Sequence, residues 1–342
     1  MRKETPEVLL EELWPWADRL TIDKATKDIR ENAIAMQPQE AKFLVTMYYQ
    51  IQRQRTALGN QRRSSDEQIV VHDWLTGNVA AVENQCNLLL THYAKNHEVG
   101  RWSNSIHGIG PIISAALLAY INIHTAPTVG HIWRYAGIDP TSLWRGKDDA
   151  KAVVKLWLGR VSGDISDDEM AMIALRNNMR VELFTNRFVD RDGEPMDHTA
   201  ENAITVLSYR PWNAKLKTIC YHVGECLIKA GGSEKSFYGP LYAERKEYEK
   251  AKNVNGDYAD QAAAILEKTP NHAQKKIYAE GKLSDGHIHA RARRWIAKLF
   301  LAHWHHVAWC VEFGEDPPKP YVLTLENHTH EVRAPNWPMD RS

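Results

Sequence analysis

Along most of this chain apolar residues recur at three- and four-residue spacing, and strict alternation is almost absent. That spacing collects apolar side chains on one stripe of a helix and offers a sheet nothing to bury, so a mainly α fold is expected. From Pro38 a stripe runs through Leu44, Met47, Ile51 and Leu58. After Ser65-Asp66-Glu67 a second runs through Val71, Leu75, Val82, Cys86, Leu89 and Tyr93. Two long helices joined by a short turn make an antiparallel, coiled-coil-like hairpin, which is also the surface on which a homo-oligomer would form. Thr5-Pro6-Glu7 opens an earlier helix that stops near Pro15. Residues 212–230 and 290–313 return to helical spacing, the latter with Trp295, Ile296, Leu299, His303, Val307 and Cys310 in phase. Pro317, Pro318, Pro320, Pro335 and Pro338 then forbid helix and predict an extended tail, in which 321–325 is the best short strand. The expected division is a helical hairpin region over 1–99, a larger helical domain over 100–314 and the tail over 315–342.

The 342 residues suit two or three domains. Lysine plus arginine (43) equals aspartate plus glutamate (43), so no global charge announces a polyanionic partner and any such case rests on local patches. No apolar run reaches the roughly 18 residues of a membrane span. The opening MRKETPEVLLEELWPW is amphipathic and lacks the apolar core of a secretory leader. Cys86, Cys220, Cys226 and Cys310 are too scattered for a disulfide framework, so a cytoplasmic protein is expected.

The most informative stretch is Ser105-Ile-His-Gly-Ile-Gly-Pro-Ile-Ile-Ser-Ala-Ala-Leu-Leu-Ala119. A helix ending at Gly108, a tight Gly108-Ile109-Gly110 turn and Pro111 at the first position of a second helix make a helix-hairpin-helix. Ile106, Ile109, Ile113 and Leu117 would pin its two helices together. Amides of the turn and of the second helix's first turn lack partners and sit at the positive end of the helix dipole, where a phosphate oxygen fits without any base contact. Gly108, Ile109, Gly110 and Pro111 are therefore the candidate DNA-backbone residues, with little sequence preference expected. Many αα-hairpins use Gly-Pro as punctuation with no ligand, and the pattern leaves both readings open.

Ile106-His-Gly-Ile-Gly-Pro111, Ala115-Ala-Leu-Leu-Ala119 and Ile132-Trp-Arg-Tyr-Ala-Gly-Ile-Asp-Pro140 together resemble the C-terminal domain of the insertion-sequence one-hundred-ten family of transposases, serine-using recombinases guided by a bridge RNA. Residues 213–229 look like the helix after that family's catalytic loop, 289–308 like its closing helix, and the hairpin of 38–97 like its coiled-coil segment. The resemblance spans 38 to about 311, interrupted by an apparent insertion at about 145–209. It implies a DNA-binding protein of a mobile element or phage, with an RNA or a catalytic protein among its partners. Two departures weigh against recombination. The family's ribonuclease-H-like domain, with its metal-holding acids, has no counterpart in strand pattern ahead of Pro38. Its catalytic Ser-Gly falls here on Arg145-Gly146, which leaves Ser142 as the stand-in nucleophile. Three readings follow: a DNA-binding protein without its own nuclease centre, an active serine recombinase using Ser142, or a helical protein-interaction module.

Three basic stretches free of acids would widen a phosphate footprint. The first carries Arg53, Arg55, Arg62 and Arg63. The second carries Arg210, Lys215 and Lys217 beside Trp212. The third carries Arg291, Arg293, Arg294 and Lys298. The plainer reading of each is a face balanced by acids on neighbouring helices. Trp133, Tyr135, Trp144, Trp212, Trp295 and Trp304 read as core residues before stacking platforms. His303 and His306 share a face near Cys310, yet His-rich packing is the better reading than zinc, and no metal or cofactor is expected. Asp148-Asp149 and Asp167-Asp168 read as helix N-terminal charges.

Overall fold

The computed structural model describes residues 24–63, 70–139, 144, 146–164, 166, 196–197, 199–318 and 332–339. Among them are thirteen α-helices, one 3-10 turn and no strand, so the fold is mainly α. The helices are α1 Lys27–Ile34, α2 Pro38–Arg63, α3 Val70–Asn96, α4 Glu98–Ser105, α5 Pro111–Tyr120, α6 Val129–Tyr135 and α7 Lys147–Val161. They continue as α8 Ala200–Leu207, α9 Ala214–Lys229, α10 Tyr238–Val254, α11 Ala259–Lys268, α12 Lys275–Ala279 and α13 Asp285–Phe313. The early helix at Thr5, Ser142, Asp167-Asp168 and the strand at 321–325 lie outside the described residues.

The chain forms two compact units, one of residues 1–133 with 218–342 and one of residues 134–217. The smaller unit contains the whole stretch that reads as an insertion. In the larger unit α2 and α3 pack on each other, and α1, α4 and α5 pack on them. The buried stripe of α2 runs through Ala41, Val45, Tyr48 and Ile51, with Leu44 and Met47 at its margin. On α3 the buried residues are Glu83, Cys86, Leu90, Tyr93 and Ala94, while Val71 and Leu75 are exposed. The stripes are thus rotated from those the large aliphatic residues suggest. A small alanine, a tyrosine and a carboxylate satisfied by Arg55 occupy seam positions that a hydropathy pattern passes over.

α5 is apolar on every side, which a helix tolerates only when it is enclosed. Ile112 to Leu117, Ala119 and Tyr120 are buried against α2, α3 and α4. α13 begins at Asp285, behind the Ser284 cap that accepts from the His287 N–H, and buries Ile288, Ala292, Ile296, Phe300, Trp304 and Val307. Trp102 of α4 stacks on Phe300 at 5.8 Å and its indole N–H donates to Pro335 O, so the tail segment 332–339 packs on α4 within the larger unit. Tyr258, Ala262, Tyr278, Leu283 and Ile288 form a second small core.

In the smaller unit α7 packs on α8 around Val154 and Ala203. Asp148 and Asp149 occupy the first turn of α7, as helix N-terminal charges should. The Tyr135-Ala136-Gly137 stretch docks on Trp212-Asn213. The Asn213 N–H donates to Tyr135 O at 2.8 Å, and a Cβ at Gly137 (φ 63°) would stand 2.4 Å from Trp212 Cγ. Glycine is required there by both conformation and space.

Candidate nucleic-acid interface

The helix before the glycine turn ends at Ser105, earlier than Gly108, because Ile106 turns extended and its N–H bonds Ser103 O. Ile109 N–H then closes the turn on Ile106 O at 2.9 Å. Gly108 takes φ +98°, and a Cβ there would lie 2.8 Å from Ala230 Cβ and 3.0 Å from Cys226 O, at the end of α9. Its lack of a side chain serves packing as well as conformation. Ile106, Ile109, Ile113 and Leu117 are all buried, as the pinning role requires. Ser114 Oγ donates to Asn104 Oδ1 at 2.9 Å and binds the second helix to the first.

Gly110 differs from Gly108 in conformation and in surroundings. Its backbone is extended (φ −99°), and a Cβ there would meet nothing within 4 Å. It stands at the N-cap of α5 without a side-chain cap, with Pro111 following at the first helical position. The N–H groups of Ile112 and Ile113 therefore begin the helix uncapped, at its positive end. His107 is exposed on the same turn.

The arginines fare differently. Arg55 forms a bidentate pair with the buried carboxylate of Glu83, and Arg62 donates to Asp73 Oδ1 at 3.0 Å, both between α2 and α3. Arg291 Nε reaches Glu249 Oε2 at 2.6 Å and lies over the Tyr258 ring, while Arg293 reaches Glu225 Oε1 at 2.6 Å and lies over Tyr221. Glu249, 1% exposed, also accepts from Arg245 and from Tyr258 OH. Burial raises its pKa, and the hydrogen bonds from Arg291, Tyr258 and Arg245 outweigh that and hold it below the ordinary carboxylate value. The Arg293 hydrogen bond likewise lowers Glu225. Stretches without acids in sequence are thus supplied with acids by α3, α9 and α10. Arg53, Arg63 and Arg294 are exposed and carry no ion pair among the described residues. Lys215 and Lys217, in the smaller unit, are exposed too, with Lys217 over the Trp212 ring at 4.2 Å and Arg210 over Trp144 at 4.6 Å.

Trp304 is buried, Trp133, Trp212 and Trp295 are half-buried, and Tyr135 and Trp144 are exposed. His303, read as one of a face-sharing pair with His306, is fully occupied. Its Nε2–H donates to Val332 O at 2.7 Å, so Nδ1 accepts from Tyr238 OH at 2.7 Å. Desolvation pushes its pKa down to about 4, which keeps the ring neutral. His305 is buried likewise on Ala126 O. The decisive acids Glu83, Glu225 and Glu249 are missing from the sequence reading; the one available signal was Arg245 four residues before Glu249 on one helical face.

No family model matches this chain, and no curated protein or solved structure matches it either.

Proposed function

We propose that this chain is a DNA-binding protein of a mobile element or phage, without its own nuclease centre, that holds the phosphate backbone at the α4–α5 turn. The observation that carries the reading is the open, uncapped N-terminal end of α5 at Gly110. A phosphate oxygen at that end accepts from the amides of Gly110, Ile112 and Ile113 and gains from the helix dipole, with no base edge involved. Pro111 fixes the first turn, and Gly108 sets the bend that presents it. Arg53, Arg63 and Arg294 supply exposed charge on the same compact unit. Arg55, Arg291 and Arg293 serve the fold first, since removing them leaves the carboxylates of Glu83, Glu249 and Glu225 short of a partner. The likeness of the Gly-Ile-Gly-Pro and Tyr-Ala-Gly segments to the transposase C-terminal domain adds to the reading.

Gel shifts of duplex and branched DNA across a salt series, with the wild type and Gly110→Glu, test the proposal. Wild type should bind all sequences alike and weaken steeply with salt, by a slope of about 0.9 per neutralised phosphate. Gly110→Glu should weaken binding to every substrate. Equal binding by both proteins overturns the turn as the contact site. Incubation of supercoiled plasmid with divalent metal, comparing Ser142→Ala, is expected to give no nicking by either; a nick or covalent adduct lost in Ser142→Ala would make the chain a recombinase instead.

A further inference from the structure

At the far end of α13 three different donor atoms meet. The helix puts His306 and Cys310 on one face, four residues apart. Gly314, left-handed at φ 72°, ends the helix with its N–H on Cys310 O and turns the chain so that Asp316 comes back over the last turn. His306 Nε2 lies 3.7 Å from Cys310 Sγ and 3.7 Å from Asp316 Oδ1, and Cys310 Sγ lies 3.6 Å from the same oxygen. All three atoms fall within 4.8 Å of one another, and no other such mixed cluster occurs among the described residues.

From this triangle we infer a binding site for a zinc-class divalent cation, with His306, Cys310 and Asp316 as ligands and one coordination position open to solvent. Zinc bonds of about 2.0–2.3 Å at a tetrahedral centre set ligand atoms about 3.3–3.6 Å apart, close to the three edges found. A cation about 0.7 Å out of the plane of this triangle, with the open position pointing away from it, stands about 2.2 Å from each atom, within the tolerance for a tetrahedral zinc site. The donor set of imidazole, thiolate and carboxylate selects zinc over magnesium or calcium, which take oxygen alone. One further feature favours a cation: the C-terminal end of a 29-residue helix is its negative pole. Binding replaces the thiol proton: the S–H bond breaks, an S–Zn bond forms and one proton leaves to solvent. The cation would join the end of α13 to the first residues of the tail, and it owes nothing to the DNA reading.

Iodoacetamide labelling of the whole protein, mapped by peptide mass spectrometry, tests the site with Cys226 as the internal reference. Zinc should slow modification of Cys310 by about tenfold or more and leave Cys226 unchanged, and magnesium should protect neither. Asp316→Asn, at an exposed position, and His306→Gln, at a half-buried one, should each lose most of that protection. Equal labelling of Cys310 with and without zinc overturns the site. Protection that persists undiminished in both variants overturns it too, because the ion is then held by other residues.

Discussion

The first half of α13 and the α4–α5 turn are both places where the sequence suggests a grip on polyanions, and the structure equips them in opposite ways. In α13 the charge is plentiful, yet Arg291 and Arg293 are bound to Glu249 and Glu225 and stacked on tyrosines. At the turn there is no formal charge, but the end of α5 is open and uncapped. Acids brought in from other helices cancel a basic run, whereas a backbone amide at a helix start has no such competitor. A run of arginines is therefore weaker evidence for a polyanion site than a glycine with room around it.

The sharpest way to break this contrast is at Glu249. Glu249→Gln leaves Arg245 and Arg291 without their carboxylate in a buried site, and should cost about 3–5 kcal/mol in urea unfolding at pH 7. A cost below about 1 kcal/mol would mean that the arginines are not committed to the fold. Acid comes next. The folded pKa of His303 (about 4) lies below the unfolded value near 6.5, so the unfolded state binds more protons between those limits. Its contribution is full above pH 6.5 and falls by about 3 kcal/mol as pH drops to 4. Below that, stability held by the depressed carboxylate of Glu249 is lost as it protonates. Urea midpoints measured from pH 7 to 4 should show this decline, and His303→Gln should flatten its upper part.

Gly108→Ala, forced into a left-handed conformation and against Ala230, should cost about 1–3 kcal/mol. A neutral result would show that the turn is held less tightly than its geometry indicates. Smallest is Arg62→Gln: the Arg62–Asp73 pair is partly exposed, so thermal unfolding should register about 0.2–1 kcal/mol.

Much of this architecture was legible from spacing. The long helices α2 and α3, the start of the second short helix at Pro111 and the long final helix follow from periodicity and from proline at a first position, which act locally. The seam between α2 and α3 was not, because Glu83 is a seam residue only when Arg55 lies opposite it. The fate of the arginines in α13 was hidden for the same reason, as Glu225 and Glu249 lie 68 and 42 residues away along the chain. At the turn the sequence supplied both glycines but not their division of labour. Gly108 is shaped by contact with α9, a tertiary fact, and Gly110 by the absence of contact.

That division gives the most direct test. Aspartate is a better N-cap than glycine by a few tenths of a kcal/mol, so Gly110→Asp should fold at least as stably as wild type while placing a carboxylate where the phosphate would sit. Fluorescence anisotropy with a labelled duplex should then show binding at least about tenfold weaker, with a shallower dependence of log Kd on log salt. Wild-type affinity and slope in a fully folded Gly110→Asp would contradict the account.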